Sequence, residues 1–214
     1  YEASSVASIS LLWEIPNQPK STWNEEFEPS KEMLADVKQA DVAIFVGGLD
    51  ATWEGEEMDR HVDGFLSGDR TKIQLPGAQL KTIKAMQKTG IPTVIVLLAG
   101  SAISLNGLEE KLSAYLFGWY PGQRGGDAVA DVLFGDYNPA GRLPVTFYKS
   151  VDDLPAFENY NMTAKNGQTY RYFNGEPLFP FGHGLSYSEF DYSDIEIDKT
   201  TINDQDDINL SFKI

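Results

Sequence analysis

Two short apolar segments, each following a predicted helix, constrain the fold of this chain more than any other feature. DVAIFVGG at residues 41–48 and PTVIVLL at residues 92–98 are almost uninterrupted hydrophobic runs. Runs of this length and composition are typical of parallel strands buried on both faces. Parallel neighbours need a long crossover, and the segment between the two runs contains a predicted helix. The sequence therefore predicts a βαβ unit.

Helix signals support the same organisation. Ser30 is placed to cap a helix that we expect to run to about Gln39. A second helix is predicted to begin near Pro76 and to end before Gly90. Its expected inward positions are Leu80, Ile83, Ala85 and Met86. With a third strand predicted at residues 114–117, the fold class is α/β, a mostly parallel sheet flanked by helices.

The pattern changes near residue 185. Apolar residues partly alternate with polar ones over 190–197 and again over 208–212, which is typical of half-exposed strands. Two strands are too few for a β-sandwich, which needs about seven. We therefore expect an α/β sandwich domain at 1–184, incomplete at its N-terminus, followed by a truncated β-sandwich segment at 185–214.

Composition excludes several classes of function. The formal net charge of −15 argues against nucleic acid and anionic membranes as partners, and suits a neutral substrate such as a sugar. No apolar run is long enough to insert into a bilayer. The chain has no cysteine, and its two histidines lie far apart. We therefore expect neither thiol chemistry nor a histidine-based metal site or triad.

The longest connection lies between the first apolar run and its helix, at residues 47–75. A βα connection typically has about 2–6 residues. Open α/β sheets place their sites in the loops that leave the carboxyl ends of the strands. This long loop is therefore where the sequence predicts the functional site.

The same loop concentrates carboxylic acids. DATWEGEEMDR at residues 50–60 carries five acids among eleven residues. Neighbouring like charges raise the pKa of at least one carboxyl, and so does an apolar wall such as Trp53. A carboxyl that is protonated near neutral pH can donate its proton to a departing glycosidic oxygen. A solvated acidic loop and a calcium-stabilised structural site are the alternative interpretations.

A glycine-rich segment, GWYPGQRGGDAVADVLFGDYNPAGRLPVTF at residues 118–147, predicts a loop, a short helix, a turn and a strand. Asp127 is expected to cap the helix, and Gly135 to end it. Aromatic residues beside the loop could stack on a sugar, and Arg124 could bind a hydroxyl. The structural alternative for these residues is packing in the core and a contact at the helix cap.

Three ordered segments together resemble glycoside hydrolase family 3. They are FVGGLDATWEGEEM at 45–58 with GDR at 68–70, the segment at 118–147, and YRYF with PLFPFGHGLSY at 170–187. The wording of the first segment is closer to bacterial β-xylosidase-like members. The resemblance implies the C-terminal α/β sandwich domain of that family and the start of a fibronectin type III-like domain. His183, in the last segment, is expected to be structural.

The resemblance also implies a role for the acidic loop, because the corresponding loop of the family carries the general acid/base glutamate. Glu54, next to Gly55, is the preferred candidate, and Glu56 and Glu57 are the alternatives. Trp53 and Arg124 are the expected substrate-binding residues. The chemistry implied requires no metal and no organic cofactor.

The implied activity is that of a retaining, exo-acting β-glycosidase, a β-xylosidase in the first place and a β-glucosidase as the alternative. The family's nucleophile is an aspartate on a preceding TIM-barrel domain, of which the sequence shows no pattern. The expected partners are that barrel and a neutral β-linked saccharide, and the chain alone is expected to be inactive. The family role implies a periplasmic or secreted location. The alternative from another class is a non-catalytic saccharide-binding or interaction module.

Overall fold

The computed structural model describes residues 27–54, 57–59, 61–163 and 167–214. The beginning of the predicted 1–184 domain and the candidate Glu56 lie outside these residues. The helices are α1 (Lys31–Val37), α2 (Gly77–Lys88), α3 (Gly125–Phe134) and α4 (Thr169–Tyr172). The strands are β1 (Ala43–Gly48), β2 (His61–Val62), β3 (Phe65–Leu66), β4 (Asp69–Arg70), β5 (Thr93–Leu98), β6 (Ala114–Phe117), β7 (Ser193–Ile197) and β8 (Leu210–Lys213).

A three-stranded parallel sheet organises the chain, with the strand order β1-β5-β6. Ala43 pairs with Thr93, and Val94 pairs with Ala114, so the three carboxyl ends lie at one edge of the sheet. The central strand β5 is the most buried, with Ile95 and Leu97 inaccessible to solvent. The predicted α/β class, a parallel sheet flanked by helices, is confirmed.

Strand β1 departs from its prediction. Ala43 is buried and Phe45 packs against the core, but Ile44 and Val46 are 44% and 62% exposed. The expectation that this run is buried on both faces is therefore wrong. An apolar run predicts a strand, but it does not reveal which face of that strand the rest of the chain covers.

The first two helices begin where the sequence predicts. The Ser30 hydroxyl accepts a hydrogen bond from the Met33 backbone N–H at 3.0 Å, as a cap should, although α1 ends at Val37, two residues early. Helix α2 buries Ile83 and Met86. Gly90, just past its end, takes the left-handed conformation with φ 81°.

The long loop after β1 is packed rather than free. It supplies Leu49, Phe65 and Leu75 to the hydrophobic core, and strands β2, β3 and β4 form a small antiparallel sheet within it. Each of these strands has two residues. Strands so short leave no periodic signal in the sequence, so the prediction contained none of them.

The segment at 177–187 forms backbone hydrogen bonds with residues 143–147. The Leu143 N–H donates to the His183 carbonyl at 2.8 Å, and Phe147 forms an isolated antiparallel bridge with Phe179. The strand predicted at 143–147 is therefore reduced to one bridge. The His183 ring stacks on Phe179 at 5.0 Å between centroids, which supports its structural interpretation.

Strands β7 and β8 form an antiparallel pair in the last part of the chain, close to the predicted positions. All their residues are exposed rather than half-buried. The boundary between residues 184 and 185 stays a prediction. Among the described residues, no helix has the length and apolar character that crossing a membrane requires.

Candidate active site at the carboxyl edge of the parallel sheet

Three loops meet where the parallel strands end. The Leu49 N–H donates to the Leu98 carbonyl at 2.9 Å, which joins the exits of β1 and β5. The Gln79 side chain of α2 binds both the N–H and the carbonyl of Gly48, at 2.9 and 2.8 Å. The beginning of the long loop is therefore fixed to the neighbouring strand and to the helix that follows.

Glu54 lies at the centre of this edge. Its side chain is 12% exposed, and its Oε2 accepts a hydrogen bond from the Gly100 N–H at 2.7 Å. The Ser101 hydroxyl donates to Oε1, and the Tyr120 hydroxyl donates to Oε2. Residues 100–101 follow β5, and Tyr120 follows β6. One carboxylate thus joins the loops that leave all three parallel strands.

Arg70 supplies the positive charge beside this carboxylate. Its Nη1 lies 3.9 Å from Glu54 Oε1, and only 13% of its side chain is exposed. Nη1 also donates to the Ser101 hydroxyl at 2.6 Å and to the Ala102 carbonyl at 3.0 Å. Burial lowers the pKa of Arg70, and the carboxylate of Glu54 opposes that shift. The ion pair is therefore largely shielded from water; Nη1 and Nη2 are hydrogen-bonded, whereas the buried Nε has no partner among the described residues.

Tyr120 is held as a hydrogen-bond donor. Desolvation raises its pKa to about 12, with further contributions from the hydrogen bond to Glu54 and from its charge. Trp119, the residue before it, has φ 53°, an uncommon left-handed conformation for a bulky residue. A Cβ at Gly100 would lie 2.5 Å from Tyr120 Cε2. The site is therefore close-packed around the carboxylate.

Of the two alternative candidates in the loop, the structure describes Glu57. Glu54 is held as described, and the Met58 N–H donates to the Ser67 carbonyl at 3.0 Å. Glu57 is exposed, with φ 49°, a conformation that non-glycine residues adopt mainly at turns and functional sites. Glu56 precedes it, outside the described residues. Glu54 and Met58, which flank Glu57 in the sequence, are therefore both held by hydrogen bonds.

The two expected substrate-binding residues lie in different surroundings. Trp53 packs against the core, with its ring 5.9 Å from that of Phe65. The side chain of Arg124 is 85% exposed, and its Nε donates to Asp127 Oδ2 at 2.9 Å. Both residues keep their substrate-binding role only as a prediction. The contact of Trp53 matches its structural alternative.

Asp127 does not cap α3 as predicted. Arg124 occupies the cap position, without a side-chain cap hydrogen bond, and Asp127 is the third residue of the helix. Its carboxylate pairs with the Arg124 guanidinium and still lies in the first turn, where the helix dipole favours a negative charge. Gly135 ends the helix in the left-handed conformation, as expected.

Sequence reasoning missed the partners of Glu54. Arg70 was noted only within the GDR segment at 68–70, and no sequence motif includes Gly100 or Ser101. No local pattern links residue 54 to residues that follow another strand; only the parallel order of β1, β5 and β6 brings them together. Among the residues that the structure describes, no group of three His, Cys, Asp or Glu side chains converges as metal ligands would.

Comparison with known proteins places this architecture among glycosidases. Residues 4–187 match the glycosyl hydrolase family 3 C-terminal domain. A xylan 1,4-beta-xylosidase of Xylanibacter ruminicola is 47% identical over 171 residues, which are 80% of this chain and 19% of that protein. A periplasmic beta-glucosidase of Salmonella typhimurium is 37% identical over 193 residues, 86% of this chain and 24% of that protein.

Solved structures with a similar fold are also glycosidases. A β-glucosidase from Erythrobacter marinus superposes with a TM-score of 0.68 at 35% identity, over 85% of this chain and 23% of its own. A family 3 exo-beta-xylosidase, XlnD, in complex with a xylobiose aziridine probe, superposes with a TM-score of 0.64 at 35% identity. That match covers 76% of this chain and 21% of XlnD. The chain thus spans about a fifth to a quarter of the relatives it matches.

Proposed function

Because this chain belongs to the glycosyl hydrolase family 3 C-terminal domain family, we propose that it supplies the general acid/base carboxyl of a retaining, exo-acting β-glycosidase. The observation that carries the proposal is the acidic loop, which leaves a parallel strand at its carboxyl end and is fixed there by the Glu54 contacts. Sites of open α/β sheets are built at this edge.

The reaction requires two carboxyls about 5–5.5 Å apart. An aspartate of an N-terminal TIM-barrel domain attacks the anomeric carbon and forms a covalent glycosyl-enzyme, while the glutamic acid of this chain protonates the leaving oxygen. The same glutamate, now ionised, removes a proton from the water that hydrolyses the intermediate. This chemistry uses no metal and no organic cofactor, and this chain alone, without the nucleophile, is inactive.

The three candidate carboxyls are not equivalent. The sequence favours Glu54, but its side chain is 12% exposed and both its oxygens accept hydrogen bonds. A proton donor must reach the glycosidic oxygen, and its acid form must be accessible. These contacts support assigning proton transfer to Glu56 or Glu57, the alternatives of the prediction. Glu54, the preferred candidate of the sequence analysis, becomes the third candidate in this proposal.

For the substrate, we propose a β-xyloside, with a β-glucoside as the alternative. The support is the 47% identity to a xylan 1,4-beta-xylosidase, against 37% identity to a beta-glucosidase. The partners are a neutral β-linked saccharide and the barrel domain. We propose a periplasmic or secreted location, which the periplasmic relative supports.

Glutamine variants in the full-length protein test the proposal. Glu54→Gln, Glu56→Gln and Glu57→Gln are compared on xylobiose and on an aryl β-xyloside whose leaving group needs little protonation. Loss of the acid/base should lower xylobiose cleavage by about 10²–10⁴-fold and spare formation of the glycosyl-enzyme from the aryl substrate. Asp63→Asn is the matched control, because Asp63 is an exposed acid of the same loop that pairs with Lys72.

One of the three variants should show this split between the two substrates. If all three cleave both substrates as the wild type does, the loop does not supply the acid/base, and the proposal fails. If the wild-type protein hydrolyses β-glucosides far faster than β-xylosides, the substrate assignment changes and the mechanism stands.

A further inference from the structure

We propose that Glu54 is a positioning residue, whose ionised carboxylate holds the acidic loop at the sheet edge so that a neighbouring glutamate transfers the proton. This inference rests on the proposed function. It deepens that function by separating the carboxyl that fixes the loop from the carboxyl that reacts.

The contacts of Glu54 are those of a carboxylate. Oε2 accepts from the Gly100 N–H and the Tyr120 hydroxyl, and Oε1 accepts from the Ser101 hydroxyl. The Gly100 N–H can only donate, and the Arg70 guanidinium beside Oε1 has donors and no acceptor. A proton on Glu54 would add a further donor to a site that already holds four: the Gly100 N–H, the Ser101 and Tyr120 hydroxyls and the Arg70 guanidinium.

The location of Glu54 explains how it acts on its neighbours. It binds residues that follow β5 and β6 while lying in the loop that follows β1, so it fixes that loop against both other strands. Four residues later, the Met58 N–H is fixed to the Ser67 carbonyl. In the sequence, Glu56 and Glu57 lie between Glu54 and Met58. A change at Glu54 therefore removes one of the two contacts that flank these candidates in the sequence.

The burial of the Glu54–Arg70 pair explains why its contacts hold the loop firmly. An exposed ion pair contributes little to the stability of the fold, whereas breaking a buried ion pair leaves a buried charge without its partner. The two side chains are 12% and 13% exposed, and four further groups of the two strand exits share their hydrogen bonds: the Gly100 N–H, the Ser101 hydroxyl, the Ala102 carbonyl and the Tyr120 hydroxyl. These contacts occupy both oxygens of Glu54 and the Nη1 of Arg70, while the buried Nε of Arg70 has no hydrogen-bond partner among the described residues.

The first test is the pH profile of Glu54→Gln in the full-length protein. Misplacement of a catalytic group by about 1 Å can cost about 10²-fold. We expect kcat/KM for xylobiose to fall by about 10–100-fold while the alkaline limb of the profile, set by the reacting carboxyl, remains. Glu56→Gln or Glu57→Gln should remove that limb. An alkaline limb lost in Glu54→Gln, or activity equal to that of the wild type, would overturn the inference.

The second test uses Tyr120→Phe, which deletes one donor to Glu54 at a half-exposed residue and so avoids an unpaired buried charge. One hydrogen bond corresponds to about a fivefold effect, and we expect a loss of that size on xylobiose. In the Glu54→Gln background the same substitution should cost less, because the amide has one acceptor oxygen where the carboxylate has two. Full additivity would mean that Tyr120 acts independently of Glu54, against the inference.

The third test separates this inference from the proposed function. A positioning residue acts through the reacting carboxyl, so Glu54→Gln should cost little more once that carboxyl has been replaced by glutamine. A purely structural role would cost the same in both backgrounds and would overturn the inference while leaving the proposed function intact. The proposed function itself fails only if none of the three glutamine variants shows the substrate split described above.

Discussion

Two ion pairs of the same loop show that distance is a poor guide to importance. Lys72 Nζ lies 2.6 Å from Asp63 Oδ1, whereas Arg70 Nη1 lies 3.9 Å from Glu54 Oε1. The closer pair has side chains that are 52% and 56% exposed; the longer one is nearly buried. Water and salt screen the first pair, while the second is backed by hydrogen bonds to two other strand exits.

The comparison separates two pairs that alternate along the same loop, the buried Glu54–Arg70 pair and the solvated Asp63–Lys72 pair. Near Glu54 the chain is held by charges that cannot be removed singly without leaving a buried partner. Near Asp63 the charged residues lie at the surface and contribute little to the free energy of unfolding. The following predictions test this division, from the largest expected effect to the smallest.

Arg70→Met should be the most damaging change. It keeps much of the side-chain volume but leaves the Glu54 carboxylate buried without its countercharge, which typically costs about 3–5 kcal/mol of the free energy of unfolding. Calorimetry on the full-length protein should show a clearly lowered Tm for the transition of this domain. A Tm equal to that of the wild type would mean that the pair is screened like a surface pair.

Gly100→Ala tests how closely the residues around the Glu54 carboxylate are packed. The new Cβ would lie 2.5 Å from Tyr120 Cε2 and 2.9 Å from Glu54 Oε2, so the tyrosine must move. Overpacking of this kind costs about 1–3 kcal/mol. Gly126→Ala is the matched control, because nothing lies within 4 Å of its added Cβ. Equal Tm values for the two variants would contradict the packing described here.

The alkaline stability of the protein should depend on Tyr120. Its pKa is raised to about 12 in the folded state, from an ordinary value near 10. The unfolded chain therefore loses this proton first. The corresponding stabilisation is complete below pH 10 and is lost as the pH rises through about 12. Tyr120→Phe should show a shallower decline of the free energy of unfolding with pH than the wild type above pH 10, and identical slopes would contradict the shift.

Lys72→Met should have the smallest effect. Its partner Asp63 is more than half exposed, and such pairs contribute about 0–1 kcal/mol. The Tm should stay close to that of the wild type, in contrast to that of Arg70→Met, the same substitution type two residues away. A loss as large as that of Arg70→Met would remove the distinction between the buried pair and the solvated pair.

The fold was largely predictable, because helix and strand signals are local. Ser30, Gly90 and Gly135 mark helix ends through backbone and capping requirements that depend on a few neighbouring residues. The exposed face of β1 was not predictable, since burial depends on what packs there from elsewhere in the chain. The two-residue strands β2 to β4 were missed because they are too short for a periodic pattern.

For the site, the sequence predicted the loop but not the division of roles within it. An acidic cluster shows that carboxyls are close together, and the resemblance indicates which kind of chemistry they perform. The partners of Glu54 come from positions 70, 100, 101 and 120, which meet only when the three strands are aligned. Strained backbone at Trp119 and Glu57 likewise has no sequence signature.

Trapping with azide tests the central claim most directly. When a retaining glycosidase lacks its general base, azide, which needs no deprotonation, can attack the glycosyl-enzyme in place of water. The full-length glutamine variants are incubated with an aryl β-xyloside and sodium azide, and the products are analysed by mass spectrometry. We predict β-xylosyl azide and an accelerated turnover for Glu56→Gln or Glu57→Gln, and neither for Glu54→Gln. Xylosyl azide formed by Glu54→Gln alone would identify Glu54 as the reacting carboxyl and contradict the account.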